Sequence, residues 1–394
     1  MSLRVAIVGA GIGGLTAAIA LRARGVDATV YEQAHELKAL GAGVAIATNG
    51  SRVLTELGLG DAISAVAGRV SAYAYRTSTG DALPADPAEL SLGDPERTWF
   101  LHRGEFQRVL SQALPPAALQ MGRRCTRVVQ TPDAARIEFA DGSAVEADVV
   151  VGADGIHSRL QGAVTDPADP VSEGVMAYSG LLPAERVRGV VDMDVSAMWL
   201  GPGQSFLLYP VSSGRLMNLV AFVPTTLDVE ESWTAPGDVA ELALAYRGWD
   251  DRVLRVIDAM DETFRWGIYD REPLDRWSAG HVTLLGDSAH ADTPHLGQGA
   301  NQAIEDAITL AVTLADAGPR DVPDRLALYE SLRRDRTRLV RSRAREAGAL
   351  YRSTDVTPAQ QADRLKAIYD SIQINTHDAE AVAAEALSYA TASR

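Results

Sequence analysis

Leu3-Arg4-Val5-Ala6-Ile7-Val8-Gly9-Ala10-Gly11-Ile12-Gly13-Gly14 is the stretch whose reading decides the fold. The residues before Gly9 form a short, mostly apolar strand without polar alternation, as a strand buried on both faces should. Leu15 to Arg24 reads as a helix ended by Gly25, and Ala28-Thr29-Val30-Tyr31 as a second strand that delivers Glu32. Two parallel strands joined by a helix predict a doubly wound α/β sheet. The glycines at 9, 11 and 14 satisfy G-x-G-x-x-G, and Glu32 follows 23 residues after Gly9. That is the full dinucleotide context. Gly9 allows the tight turn, Gly11 lets the backbone approach a pyrophosphate, and Gly14 lets helix and strand pack closely. Gly13 belongs to the same cradle. The helix amino terminus holds the anion, and Glu32 accepts hydrogen bonds from ribose hydroxyls.

The rest of the composition bounds the answer. The chain has 394 residues, 46% of them hydrophobic and 23% charged, ample for a large core without disulfides or a structural metal. Its single cysteine, Cys125, excludes an intrachain disulfide and suits a reducing compartment. A net charge of −15 argues against nucleic-acid or anionic-membrane partners. Basic charge is almost wholly arginine, the only lysines being Lys38 and Lys366. The apolar run from Val5 to Leu21 is too short and glycine-rich to span a membrane, and it lacks the marks of a signal peptide. A cytoplasmic protein, monomeric or homodimeric, is the expectation.

Further along, Arg123 to Gln130, Ala135 to Ala140 and Ala144 to Val151 read as strands, with Asp141-Gly142 a tight turn. Val175 to Phe222 is strand-rich and predicts a second, sheet-based domain. His281 to Leu285 is another buried-type strand, ending in Gly286-Asp287. A helix is expected over Gly299–Ala317, stopped by Gly318, and a long one from Pro323 toward Glu346. Seven arginines fall between Arg333 and Arg345, which reads as a solvated helix face rather than an anion-binding patch. The last fifty or so residues are Ala-rich and expected to be helical.

One fingerprint does not separate NAD from FAD. Gly286-Asp287-Ser288-Ala289-His290 follows a buried strand, and Gly297-Gln298-Gly299 then opens a helix. A second polar cradle so far along the chain suits a long ligand such as FAD. With Gly9 to Gly14 and Glu32, His102-Arg103, and Gly152-Ala153-Asp154-Gly155 with Ser158 and Arg159, the chain resembles the class A FAD-dependent aromatic hydroxylases. These share the para-hydroxybenzoate hydroxylase fold. Met198 to Gly203 and Leu208-Tyr209-Pro210-Val211 are similar to the salicylate hydroxylase and 3-hydroxybenzoate 6-hydroxylase branch.

The resemblance implies a Rossmann-like FAD domain (1–70, 96–174 and 271–345) interleaved with a mainly antiparallel-sheet substrate domain (71–95 and 175–270). A helical tail (346–394) follows. It implies non-covalent FAD, NAD(P)H as reductant, O2 as substrate, and hydroxylation of an electron-rich aromatic ring through a flavin C4a-hydroperoxide. Arg103 is expected at the pyrophosphate or ribityl chain, Asp154 at a shared FAD/NAD(P)H motif, and Asp287 at the ribityl hydroxyls. Pro294 to Asn301, including Gly297, Gln298, Gly299, Ala300 and Asn301, is expected along the flavin ring. A helix amino terminus there carries about half a positive charge, which favours an anionic reduced ring. An FAD-dependent dehydrogenase without oxygen insertion, or a dinucleotide-binding regulator, would share the scaffold.

Relatives acting on hydroxybenzoates commonly carry histidine just before the Tyr-Pro; here Leu208 stands there, unable to deprotonate a phenol. His295, two residues before Gly297, is the titratable candidate for base or orienting group. Tyr209, Pro294 and Gln204 are further candidates for contact with substrate. Trp199, Phe206, Tyr209, Met217 and Phe222 are candidates for an apolar pocket wall. The substrate stays open among salicylate-like acids, bulkier phenols, aminobenzoates, hydroxypyridines and polycyclic intermediates. Neither metal-ligand spacing nor a Gly-x-Ser-x-Gly elbow is present.

Overall fold

The computed structural model describes residues 2–37, 42–90, 93–166, 170–226 and 235–392. Lys38 lies outside them; Lys366 pairs with Glu89 and Asp370. Strand β1 (Arg4–Val8) pairs in parallel with β2 (Asp27–Tyr31), Ile7 opposite Val30, and α1 (Ile12–Ala23) joins them. On its other edge β1 pairs with β10 (Val149–Gly152), and β10 with β18 (Val282–Leu284), both in parallel. With β6 (Leu119–Gln120) at one edge and an antiparallel β17 (Ser278–Ala279) at the other, the sheet has six strands. This is the expected doubly wound sheet.

The stretch Ala144 to Val151 is not one strand. It divides into β9 (Ala144–Ala147) and β10. With β7 (Cys125–Gln130) and β8 (Ala135–Phe139), β9 forms a separate three-stranded antiparallel sheet. Asp148 at the break bonds Arg4 through both its carboxylate and its backbone. The change of sheet therefore falls on Asp148, whose carboxylate and backbone are both held by Arg4.

A seven-stranded sheet carries the substrate side, in the order β15 (Pro236–Gly237), β16 (Thr263–Asp270), β11 (Val171–Pro183), β14 (Leu216–Pro224), β13 (Gln204–Val211), β12 (Val195–Gly201), β4 (Ala72–Thr77). Only β12 with β4 is parallel. One face packs on α5 (Val239–Ala245) and α6 (Asp251–Asp258). The other faces the dinucleotide layer, where β3 (Gly43–Ile46) pairs with β5 (Trp99–His102). Helices α2 (Thr48–Glu56), α3 (Gly60–Ser64) and α4 (Arg103–Gln112) complete that layer.

After α7 (Asp287–His290) comes α8 (Gly299–Leu314), buried at every position from Asn301 onward. It stops short of Ala317 because Ala315 turns extended and Asp316 adopts a positive φ. Helix α9 (Val322–Tyr351) outruns the expected end at Glu346, and α10 (Pro358–Ile372) and α11 (Ala379–Ala392) follow.

The arginines of α9 form a solvated face only in part: Arg338 and Arg345 are exposed, whereas Arg333, Arg336 and Arg341 turn inward. Arg333 is 1% exposed and Arg341 6%. Arg333 donates to Glu305 at 2.6 Å and to Asp306 at 2.7 Å, and Arg336 reaches Glu305 at 3.4 Å. Arg341 meets Asp270 at 2.7 Å, and Arg345 also binds Asp270. The acidic pair inside α8 is the reason: two carboxylates in an apolar core must be matched by cations. Burial pushes the Glu305 carboxyl up, but Arg333, Arg336 and His377 outweigh it and hold it down to about 2.

Arg333→Met should therefore lower stability by about 3–5 kcal/mol, since it removes the one cation that two buried carboxylates share. Equilibrium urea denaturation measures this; a loss below about 1 kcal/mol would mean that Glu305 and Asp306 find other partners. Glu305 carries a depressed folded pKa, so its contribution is present above the ordinary value of 4.5 and is lost as pH falls toward 2. Stability of Glu305→Gln should accordingly vary less with pH across that window than that of the wild type.

Candidate active site

The glycines of the first turn divide by what surrounds them. A Cβ on Gly9 would overlap the Ala153 carbonyl, and Gly9 has φ +110. One on Gly14 would overlap the Gly9 carbonyl, and one on Gly13 would press on Leu285 and Ala303. A Cβ on Gly11 meets no protein atom within 4 Å. Three glycines are thus required by the fold, whereas Gly11 borders open space at the amino end of α1. Glu32 accepts from the Ala10 N–H through one oxygen and the Ala34 N–H through the other, each at 2.8 Å. This orients the carboxylate and leaves lone pairs for a ligand's hydroxyls. Arg103, at the start of α4, is exposed and has no ion pair among the described residues.

Asp154 and Asp287 differ. Asp154 accepts from Ser158 Oγ at 2.6 Å, the Arg159 N–H at 2.8 Å and Ser288 Oγ at 3.2 Å, while the Gly155 N–H donates to Ser288 Oγ. Its carboxylate braces the loop after β10 against α7. Asp287 is exposed, and no hydrogen bond to its carboxylate is formed among the described residues. A Cβ on Gly299 would stand 4.0 Å from Asp287 Oδ1, so this acid and the amino end of α8 share one cleft. Asp306 positions it from behind: Oδ2 accepts from the Gly286 N–H at 2.9 Å and bonds His290 Nε2 at 2.6 Å.

Gly297 has φ +59 and turns the chain into α8. The first intrahelical donor is Gln302, which leaves the N–H groups of Gly299, Ala300 and Asn301 without helical partners. The Asn301 side chain is fully buried and stitches α8 to β3, accepting from Ala47 N–H and donating to the Ala45 and Gly297 carbonyls. The Gln298 carbonyl oxygen accepts from Asn49, and its Nε2 is buried without a partner.

Across the cleft, strand alternation sorts the substrate-side candidates. Tyr209 and Asn218 are cross-strand partners on the face toward the dinucleotide layer. A Cβ on Gly43 would come within 2.6 Å of Tyr209 Oη and 2.8 Å of Asn218 Cγ, and the Gly43 N–H donates to Asn218 Oδ1 at 2.7 Å. Asn218 Nδ2 is buried without a partner. Two pleats along β14, Phe222 packs on the His295 ring at 5.1 Å. Between these ends lie Leu207 and Val220, partners across β13 and β14 and only half-buried. Pro294 is exposed.

Leu208 points the other way, into the core with Trp199 and Phe206, so a histidine there would face away from the cleft. Trp199, Phe206 and Met217 likewise belong to the opposite core, leaving Tyr209 and Phe222 of the expected wall on the cleft side. Gln204 also faces away, donating to the Ala245 carbonyl. Asn218, Leu207 and Val220 escaped the sequence reading, although stepping by two from Tyr209 and pairing across the hairpin would have found them. Among the described residues no cluster of three or more His, Cys, Asp or Glu could hold a metal, and no helix is long and apolar enough to cross a membrane.

A family model described as an FAD binding domain matches residues 2–344. The chain is 40% identical over 375 residues to 3-amino-4-hydroxybenzoate 2-monooxygenase of Streptomyces cremeus, covering 93% of each protein. It is 35% identical to 6-hydroxynicotinate 3-monooxygenase of Bordetella bronchiseptica, covering 84% of this chain and 88% of that protein. A salicylate hydroxylase solved with its substrate superposes with a TM-score of 0.83 at 28% identity, covering 98% of both chains. The chain belongs to the FAD-dependent aromatic hydroxylases. It is an FAD-dependent monooxygenase that uses NAD(P)H and O2.

The residues present fit FAD as this hydroxylase's cofactor. Gly11 borders space a Cβ would fill, Glu32 is oriented with free lone pairs, Asp287 is unspent, and the α8 amino end presents free donors. The two glycine classes then give a clean separation. Gly11→Ala should lower FAD occupancy while leaving the melting temperature of the apoprotein unchanged. Gly14→Ala should lower that melting temperature as well, because the methyl strikes the Gly9 carbonyl. Flavin absorbance and apoprotein melting curves check both; a fully yellow Gly11→Ala protein would remove Gly11 from the cradle.

Proposed function

We propose that the substrate is a single-ring aromatic acid of the aminohydroxybenzoate type, lying on Leu207 and Val220 between Tyr209–Asn218 and His295. The observation that carries this is the pair of buried, unpartnered polar atoms at opposite ends of an apolar floor: Asn218 Nδ2 and His295 Nδ1. Asn218 and Phe222 are four residues apart along β14, about 13 Å at strand rise, room for one ring with a polar group at each end. The 40% identity to a relative named for an aminohydroxybenzoate supports the same class.

In this reading Gly9, Gly11, Gly13, Gly14, Glu32 and Arg103 hold the adenosine and pyrophosphate, Asp154 braces the loop beside them, and Asp287 holds the ribityl chain. Pro294 and the segment Gly297–Asn301 border the ring system. The bound FAD supplies hydride acceptance and oxygen activation. The chain's own contribution is orientation and exclusion of water. Helix α8 presents its amino end to negative charge on the ring. Tyr209 orients the substrate through its hydroxyl; burial pushes that phenol up, so it serves as a neutral hydrogen-bonding group rather than a base. His295, held by Glu173 at 3.1 Å, receives the proton of the substrate's ring hydroxyl.

Aminohydroxybenzoates should stimulate NAD(P)H oxidation more than salicylate or 6-hydroxynicotinate, with 18O from O2 entering the product. A preference for either of the other two would overturn the substrate class. His295→Ala should slow hydroxylation about 10²–10⁴-fold while FAD stays bound. Burial lowers the imidazole below its ordinary value, so the wild-type rate should fall off only below the usual histidine range, and this acid limb should vanish in the variant. Normal hydroxylation with weakened substrate binding would reduce His295 to a positioning group.

A further inference from the structure

His295 is not alone in the core. Its ring packs against Phe222 on β14 and against Tyr351 and Gly348 on α9, and its Nε2 edge meets the ion pair of Glu173 on β11 with Arg352 at the end of α9. A Cβ at Gly348 would overlap the Cδ2–Nε2 edge of the ring, so a mid-helix glycine is required where alanine is otherwise favoured. Nε2 lies 3.1 Å from Glu173 Oε2 and 3.4 Å from Arg352 Nη1, while Nδ1 has no partner. The Tyr351 hydroxyl is engaged with Tyr369. Glu173 and Arg352 are therefore the charged groups that face this imidazole.

The geometry points to Glu173 as the positioning residue that fixes His295 in its Nε2–H tautomer, so that a bare Nδ1 faces the substrate's hydroxyl or amino donor, with Arg352 keeping the ring neutral. This rests on the reading of His295 as the base. A carboxylate only accepts and a guanidinium only donates, so the two compete for Nε2. The carboxylate oxygen is nearer, and a proton on Nε2 gives it a charge-assisted bond. An Nδ1 lone pair buried without a donor is costly until a ligand supplies one. The substrate class that completes the site thus carries a donor on the ring. Arg352 is itself half-buried and set against Glu173 at 3.8 Å, so a second positive charge on the adjacent imidazole is disfavoured. The direction of the His295 shift agrees: burial lowers it, Glu173 opposes, and Arg352 adds to the lowering.

The test uses the FAD-loaded enzyme. Imidazole 15N shifts should show His295 protonated at Nε2 in the wild type and lose that preference in Glu173→Gln. Hydroxylation in Glu173→Gln should slow on the order of 10- to 100-fold, part of what a general base contributes. Its acid limb should move to lower pH, because a carboxylate that favoured the charged ring is gone. In Arg352→Met the limb should move to higher pH. Placed on His295→Ala, Glu173→Gln should add no further loss. An Nδ1–H signal in the wild type, or acid limbs unmoved in both variants, would overturn the proposal. If His295→Ala itself keeps the acid limb, the base reading fails instead, and the two failures are distinguishable.

Discussion

Arg333 between Glu305 and Asp306 is the contact on which the site depends. Helix α8 must be apolar to sit inside the molecule, yet it carries two adjacent acids that are 1% and 0% exposed. One guanidinium answers both, and each acid spends its remaining capacity on something functional. Asp306 takes the Gly286 N–H and His290, which sets the turn that presents Asp287. Glu305 accepts from the Asn49 amide, which also donates to the Gln298 side-chain oxygen at the helix amino end. An ion pair at this depth is poor at adding net stability and strong at enforcing one arrangement. Here the arrangement enforced is the relative position of both ends of the cofactor cleft.

The same helix carries the constraint outward. Arg333 and Arg336 of α9 tie it to α8, Arg341 and Arg345 tie it to Asp270 at the end of β16, and Arg352 at its end reaches Glu173 on β11. A 30-residue helix is about 45 Å long, so one rigid element runs from the dinucleotide layer to the substrate sheet. Each arginine finds an acid on another element. The helix thereby works as a strut that sets how far the sheet face of Tyr209 and Asn218 stands from the α8 amino end.

What was legible in the sequence follows the range of the interactions. Gly9 to Gly14 and Glu32 act within one βαβ unit, so spacing alone places them. Gly286-Asp287 and Gly297–Gly299 are local turns and were equally readable. The inward-turning arginines of α9 were misread because charge periodicity shows a face, not the distant acids Glu305, Asp306 and Asp270 that draw part of it into the core. Leu208 and Gln204 were misread for a different reason. Strand alternation puts both on the face opposite Tyr209, and only the packing of the sheet between its two cores shows which of the two faces lines the cleft. Glu173 and Arg352 offered no sequence signal at all, since they meet His295 only through the tertiary fold.

These two kinds of buried polar group mark the division between scaffold and site. Around Arg333 every charge is matched within the chain, as the low dielectric demands. Along the cleft the chain leaves Asn218 Nδ2, His295 Nδ1 and Gln298 Nε2 unmatched, although each unpaired group costs about 1–3 kcal/mol. A fold able to satisfy Glu305 and Asp306 so completely is not short of donors or acceptors. These three atoms lie where the Pro294–Asn301 segment meets the substrate sheet, and a ligand that completes them is stabilised by the same amount the empty fold forgoes. Binding and folding are thus linked through these atoms, and ligand selectivity arises from which donors and acceptors the ring brings to them.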